Sequence, residues 1–468
     1  MSFALPGPRG VTWAFVAIGL ALRLWHYVLN HTIWYDEAVL LANILGKDYS
    51  QLLGPLNHAV AAPPIFLWGL KLLSELCGDE PYCWRLVPLA CSCGTLLLTV
   101  PLTRRVLSPA VAAIAVGLVA VSDNHIGLGY SIRPYAGDAL FTTALLYFYV
   151  ATGTWSATKR MLVLTAVIPA VLCTSYPAAF IVGGLLVALL PFAYRERFRG
   201  LALWVLASSV ALSTFALLYF GPIRNQRVEG LVSEWERMFP NFHQPETVPW
   251  WVLVHTSTIF QFCFNPIGFY LFLVAPFGIV SAWRTGRRDL AILLVVPFLL
   301  AMIASALKAY PFGFVRHMLF VAPCVLLLGG LGIDVLFRRF QSKKLHLITG
   351  VLLLFIGSIV PVGHLFQHRD QPDSAGVAKH IRTHRTAGDF VASDEQTYVY
   401  FFRGELKSLD EIAALMPPGS RVWVPMDFHE PDERRAYVKS KLEPGGLRYL
   451  DEAVFHDTSA FLFEKPAR

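Results

Sequence analysis

Asp36 and Glu37, in the string WYDEA, stand just beyond the first long apolar segment of the chain. A carboxylate beside a membrane-spanning helix is costly to bury, so it more often does chemistry than decorates a loop. The same loop carries Tyr35, His58 and the pair Pro63-Pro64, and a second membrane-edge acid, Asp138, follows in RPYAGD. Arg133 precedes Asp138 by five residues, and Lys308, Arg316 and His317 cluster in LKAYPFGFVRHMLF. A carboxylate that can take a proton from a hydroxyl, and guanidinium groups that can hold a phosphate through paired N–H donors, point to an enzyme acting at a membrane face.

Each of these groups also has a plainer reading. Acids at a helix start cap it, which accounts for one member of the Asp36-Glu37 pair better than for both. Arg133 and Asp138 would neutralise each other as a buried ion pair. Lys308 or Arg316 alone would be a side chain snorkelling to anionic headgroups. Three basic or titratable groups in one short loop, on the side where positive charge is depleted, together with Arg133, better suit a bound phosphate. Arg224 and Arg227 are weaker candidates of the same kind.

The elements that must position these residues are membrane spans. Of 468 residues, 55% are hydrophobic and only 15% charged, with a mean hydropathy of +0.52, values that exclude an ordinary soluble enzyme. The net charge of +7 would suggest nucleic acid in a soluble protein. Here the basic residues lie in short clusters between apolar runs, where they set topology, and no nucleic-acid partner is implied.

Arg104-Arg105, Lys159-Arg160, Arg195 with Arg197 and Arg199, Arg284 with Arg287-Arg288, and Arg338-Arg339 with Lys343-Lys344 all belong on the cytoplasmic side. Spans over 11–29, 84–102, 107–123, 136–153, 161–175, 178–194, 201–220, 266–283, 290–307, 317–337 and 345–363 satisfy every cluster. That predicts about eleven crossings, the N-terminus inside and the C-terminus outside, with 11–29 a retained helix and not a cleaved leader. The apolar stretches 61–75 and 249–264 would invert this parity if they crossed, so they are expected to lie along the outer interface.

The last hundred residues change character. DFVASD, SRVWVP and AFLFEK alternate as short strands between the charged helical stretches DEIAALM and DERRAYVKSKL. The expected organisation is an all-α polytopic domain over 1–363 and a small extracytoplasmic α/β domain over 364–468. No phosphate loop, zinc spacing or nucleophile elbow falls in the second. Cys77 and Cys83 share the first outer loop, where they could pair in an oxidising compartment or serve as small apolar side chains.

WYDEA after the first span, APPIFLW in the interfacial helix, WRLVP before the second span, GYSIRPYAGDALF at the fourth and YPFGFVRHMLF near the end resemble the type-C membrane glycosyltransferases. The pattern is closest to the bacterial dolichyl-phosphate-mannose type, with protein O-mannosyltransferases and the lipid A aminoarabinose transferase as more distant kin, and it covers 11 to about 363 in order. The resemblance implies that Asp36 is the general base with Glu37 its neighbour, and that Arg133 and Asp138 carry the Arg-x4-Asp of the fourth span. Some relatives place a charged residue just before the proline pair, where this chain has Ala61-Ala62 and the nearest polar group is His58.

The implied reaction is an inverting sugar transfer from a polyprenyl-phosphate donor to an acceptor hydroxyl at the outer face of a bacterial inner membrane. The acceptor is a protein, a lipid or a polysaccharide. The leaving phosphate would be held by Arg133, Lys308, Arg316 and His317, which makes a divalent metal unnecessary, although Asp36, Glu37 and Asp138 are oxygen ligands of the kind magnesium or manganese takes. The alternatives are a glycan ligase or polymerase, which would show a large central outer loop, and a lipid-linked sugar transporter, which would show inverted repeats and broken midplane helices.

Overall fold

The computed structural model describes residues 8–227, 233, 235–366, 372–427 and 430–467. Helices run in chain order as α1 (Pro8–Val28), α2 (Tyr35–Gly46), α3 (Pro64–Cys77), α4 (Pro81–Val106), α5 (Pro109–Ala120), α6 (Asp123–Gly127), α7 (Tyr135–Ala151), α8 (Ala157–Thr174), α9 (Ala178–Arg195), α10 (Arg197–Leu218) and α11 (Arg224–Gln226). They continue as α12 (Val248–Cys263), α13 (Gly268–Arg284), α14 (Arg288–Ala306), α15 (Ala322–Arg339) and α16 (Lys343–Phe366). The chain divides into two compact units, one formed by 1–29, 53–55 and 61–365, the other by 30–52, 56–60 and 366–468.

The first unit is a helical bundle. Among the described residues eight helices are long and apolar enough to cross a membrane, or up to nine if the bent pair α12–α13 counts as one span. The protein is an integral membrane protein. All eleven expected spans fall on helices, but three of those are short. The span expected over 107–123 is a helix of 12 residues, about 18 Å at 1.5 Å per residue, against a hydrocarbon core of about 30 Å. Pro109 fixes its start, and every residue from Val111 to Ala120 is buried, so protein surrounds it on all sides. α7 and α13 have 17 residues each.

The stretches expected along the interface form α3 and α12. α3 begins with Pro64 at its first helical position, where the missing N–H costs nothing. The segment beginning at Pro245 and containing α12 meets α13 at a bend of 114°. Cys77 at the end of α3 and Cys83 at the start of α4 are joined by a disulfide.

Close packing and internal hydrogen bonding hold the bundle. α13 and α15 approach through glycines. A Cβ on Gly332 would lie 2.1 Å from the Val274 carbonyl oxygen and one on Gly278 2.5 Å from that of Leu328, the small-residue contact by which helices associate where no water drives them together. In α4 the hydroxyls of Thr95, Thr99 and Thr103 each donate to the carbonyl four residues back, at 2.9, 2.7 and 2.8 Å, so these three hydroxyls are paired within their own helix.

Arg23 interrupts the first apolar run and is 1% exposed. Its guanidinium donates to Ser92 Oγ at 2.8 Å, to the carbonyls of Gly19 at 2.9 Å and Ala120 at 3.2 Å, and to that of Val119 at 3.0 Å. Val119 and Ala120 end α5, where the last carbonyls have no partner of their own. At the other end of α5, Asp334 of α15 accepts from the backbone N–H of Ser108 at 2.9 Å and from its hydroxyl, an acid placed at a helix N-terminus.

The second unit contains α2 and the last hundred residues, in the order α17 (Ser374–His384), β1 (Phe390–Ala392), α18 (Tyr398–Phe401), β2 (Leu406–Lys407), α19 (Leu409–Leu415), β3 (Arg421–Asp427), α20 (Pro431–Leu442), β4 (Arg448–Phe455) and β5 (Thr458–Glu464). The sheet runs β2-β1-β3-β5-β4. β1 is parallel to β2 and β3, and β5 pairs antiparallel with β3 and β4. The three strands expected from DFVASD, SRVWVP and AFLFEK are β1, β3 and β5. β2 and β4 went unread, because β2 has two residues and the charged RYLDEAVF lacks clean alternation at an edge.

Alternation in β3 and β5 feeds two cores. Val422, Val424, Met426, Phe461 and Phe463 face α19 and α20, while Trp423, Ala460 and Leu462 face α17 and α18.

Replacing Arg23 by Met keeps most of its length but strands the α5 carbonyls and Ser92. Thermal unfolding in detergent should show a loss of roughly 2–4 kcal/mol, against about 1 kcal/mol for Ser92→Ala. Equal stability in Arg23→Met and wild type would mean that the buried guanidinium holds nothing.

Candidate active site

The expected site residues fall in both units. In the second unit, α2 starts at Tyr35 and presents Asp36 and Glu37 in its first turn. Glu37 is 3% exposed, and its carboxylate accepts the Trp34 backbone N–H at 3.0 Å. It therefore closes the helix N-terminus, the plainer of the two roles open to the acid pair. Asp36, half-buried beside it, shares the favourable field of that N-terminus.

α2 packs on α18 of the α/β fold. The Tyr35 hydroxyl donates to Gln396 Oε1 at 3.1 Å, and a narrow crevice is lined by Thr32, Trp34 and Tyr35 on one side and by Ser374, Thr397 and Asp427 on the other. Asn43 of α2 is also buried. Its amide donates to the Asn57 carbonyl at 3.1 Å while its Oδ1 accepts the Asn57 N–H at 2.8 Å. This bond pair fixes the turn at His58 and Ala59, whose φ values of 64° and 51° lie in the left-handed region. Burial pushes the His58 imidazole below its ordinary pKa, favouring the neutral ring.

Beneath Tyr35, the α/β fold concentrates acids. Asp427 at the end of β3 accepts hydrogen bonds from Ser374 at 2.8 Å, from Thr458 at 2.7 Å and from the Tyr398 hydroxyl. Burial nonetheless raises its pKa. Glu395, next to Gln396, is pushed up to about 7 by burial first and then by the charges of Asp427 and Asp394.

In the first unit, Pro134 precedes α7 and the helix begins at Tyr135, which sets Asp138 one turn in, 4% exposed. Ser175, Cys91 and Tyr310 surround it, and its Oδ1 is buried with no hydrogen-bond partner among the described residues. Tyr135 gathers three of the predicted phosphate-binding residues. The Arg133 guanidinium lies 5.7 Å from its ring centre and donates to its hydroxyl at 3.4 Å, the Arg316 guanidinium lies 5.9 Å from the same ring, and the His317 ring meets it edge-on at 5.4 Å.

Trp235 and Tyr310 enclose the other sides of His317, at 5.0 and 6.2 Å. The Tyr310 hydroxyl donates to the His317 carbonyl at 2.7 Å, and His317 Nδ1 is buried with no hydrogen-bond partner among the described residues. Lys308 does not take part in the contacts around Tyr135. It follows α14 with φ 53° and an exposed side chain, and its carbonyl accepts from Arg227 at 3.0 Å.

Sequence reasoning missed Tyr135, Tyr310 and Trp235, although the two tyrosines lie inside the strings RPYAGD and KAYPFG that drew attention for their charges. Gln226 was missed too. It is 1% exposed, and its Oε1 accepts from the Ala62 N–H at 3.1 Å and from the Tyr176 hydroxyl at 3.3 Å. Tyr176 donates in turn to the Ala62 carbonyl at 3.1 Å. At the Ala61-Ala62 position it is thus the backbone that is held, by groups distant in sequence. Among the described residues no group of three or more His, Cys, Asp or Glu side chains is arranged to hold a metal ion.

No protein-family model and no curated protein sequence matches the chain. Its fold is shared with solved membrane glycosyltransferases. ArnT from Cupriavidus metallidurans bound to undecaprenyl phosphate aligns with a TM-score of 0.61 at 14% identity, over 97% of this chain and 98% of that one. The apo state of the same protein gives 0.60 over the same shares. Arabinofuranosyltransferase AftD from Mycobacteria aligns at 0.50 with 11% identity, over 99% of this chain and 42% of AftD. The architecture is the type-C glycosyltransferase fold.

Two measurements follow from these contacts. Tyr135→Phe retains the ring and should unfold near the wild-type temperature, whereas Tyr135→Leu removes both cation–π contacts and should cost about 1–2 kcal/mol. Glu395 binds its proton more tightly folded than unfolded, so the second unit should lose stability as pH rises from the ordinary glutamate value of 4.5 through about 7. Hydrogen exchange of the β3 and β5 amides should show this slope in the wild type and a flatter one in Glu395→Gln; parallel slopes would remove Glu395 as its source.

Proposed function

We propose that this protein is an inverting glycosyltransferase that moves a sugar from a polyprenyl-phosphate-linked donor to an acceptor hydroxyl, at the outer face of a bacterial cytoplasmic membrane. The observation that carries the reading is the pair of guanidinium groups, Arg133 and Arg316, assembled on the Tyr135 ring in a fold shared with a protein solved with undecaprenyl phosphate bound.

In the proposed reaction the acceptor oxygen attacks the anomeric carbon while Asp36 takes its proton. The bond from that carbon to the phosphate oxygen breaks, and the departing polyprenyl phosphate carries away the electron pair as negative charge. Arg133 and Arg316 meet that charge with planar donor forks, so no metal is required. His317, buried among aromatic rings, would act as a neutral hydrogen-bonding group and Lys308 as a more distant positive charge. Asp138 orients the phosphate-binding residues. Glu37 fixes the helix turn that presents Asp36, with Tyr35 and His58 flanking the acceptor side. A single base without an acid partner is the pattern of one displacement and inverted configuration, since a phosphate leaves without prior protonation.

The roles separate experimentally. Asp36→Asn preserves size and removes charge. It should lower turnover by about two to four orders of magnitude while undecaprenyl phosphate still raises the unfolding temperature as in the wild type. Arg133→Ala should lose most of that lipid-induced rise. Near-normal turnover in Asp36→Asn would reduce Asp36 to a helix-end acid, and an undiminished lipid effect in Arg133→Ala would remove the phosphate role.

A further inference from the structure

A second cluster of arginines lies at the far end of α7 from Tyr135. Tyr149 stands fourteen residues beyond Tyr135 on that helix, about 21 Å along its axis, and it borders a cavity of about 190 Å³. Arg105 enters from the last turn of α4, Arg160 from the first turn of α8, Arg287 from the α13–α14 connection and Asp289 from the first turn of α14.

Each guanidinium is anchored by one N–H and keeps its others. Arg160 Nε donates to the Thr152 carbonyl at 2.7 Å, Arg287 Nη1 to that of Val106 at 3.1 Å and Arg105 Nη1 to that of Pro101 at 3.2 Å. Arg160 is 4% exposed and lies against the rings of Tyr149 and Phe192, at 5.4 and 5.8 Å. The carboxylate of Asp289 is taken up by the Tyr149 hydroxyl, and among the described residues none of the three arginines forms an ion pair. Three positive charges and one negative therefore face a space several times the roughly 30 Å³ share of a water molecule.

Topology accounts for exposed basic residues at this end, such as Arg104. It does not ask that one arginine be buried and rigidly anchored, nor that three from separate elements converge. We propose that this cavity binds a phosphate group, offered either by the headgroup of an anionic phospholipid or by free phosphate. Planar guanidinium forks match phosphate oxygens in pairs, and basic pockets between membrane helices are suited to lipid headgroups. The site is independent of the proposed sugar transfer and takes no part in the Tyr135 cluster.

The full-length protein is placed in phosphatidylcholine nanodiscs with and without phosphatidylglycerol, and separately titrated with inorganic phosphate in detergent, with unfolding temperature and native mass spectrometry as readouts. Phosphatidylglycerol should stabilise the wild type, and Arg287→Gln should weaken that binding by about tenfold, the effect of losing one charge-assisted hydrogen-bonded partner. Arg160→Gln should weaken it at least as much. Should that buried substitution prevent folding, Arg287→Gln, at a half-buried side chain, carries the test alone. Arg104→Gln, at an exposed arginine of the same end, should leave it unchanged. Arginine-dependent stabilisation by inorganic phosphate without a phosphatidylglycerol effect identifies free phosphate as the source. Responses to both probes that are identical in wild type and Arg287→Gln would overturn the proposal.

Discussion

Arg23 shows the constraint on which the bundle depends: away from water, every polar group must find its partner within the protein. A lone guanidinium in an apolar run is unfavourable to bury until the carbonyls that end another helix are brought to it. α5 supplies those carbonyls, and α4 supplies Ser92, whose hydroxyl donates onward to the His125 carbonyl at 2.8 Å. One buried charge thus joins α1, α4, α5 and α6. Because α5 is short and enclosed, it cannot take its position from the lipid and takes it from hydrogen bonds at both ends, Arg23 at one and Asp334 at the other.

The same rule recurs where helices meet at the basic end. Glu196 accepts from the backbone N–H groups of Ala157 and Thr158 and from the Thr158 hydroxyl, which caps α8; burial raises its pKa, but these hydrogen bonds together draw it below the ordinary glutamate value. With α8 so fixed, Arg160 in its first turn is held in place. At the opposite end the organising group is an aromatic ring. Tyr135 offers a face that attracts guanidinium groups, and Arg133 and Arg316 both lie against it.

The α/β fold is tied to the acid loop through its own secondary structure. α2, Asn57 and the turn at His58 belong to the same compact unit as the five-stranded sheet. Tyr35 reaches Gln396, and Asn43 holds both strands of the loop. Asp427, which gathers Ser374, Tyr398 and Thr458 at the end of β3, lines the same crevice as Trp34 and Tyr35. The sheet domain serves as the mount of the turn presenting Asp36, which gives it a role in the proposed chemistry without a catalytic residue of its own.

The sequence by itself determined the helical membrane class, the helices on which the expected spans fall, the strands β1, β3 and β5, and the strings in which the candidate residues lie. These are properties of local period, length and charge, written into consecutive residues. It could not determine that Glu37 closes the N-terminus of α2, because both carboxylates have the same chemistry until a backbone N–H is placed beside one. Nor could it show that Tyr135 unites Arg133 with Arg316, or that Gln226 holds Ala62, since these partners lie more than 160 residues apart. Lys308 and Arg316 look alike in one short string, yet the chain turns at Lys308 and sends only Arg316 to the ring. Tertiary structure decided these points because a polar group's role depends on which partners packing brings within reach, and packing is set by the whole chain.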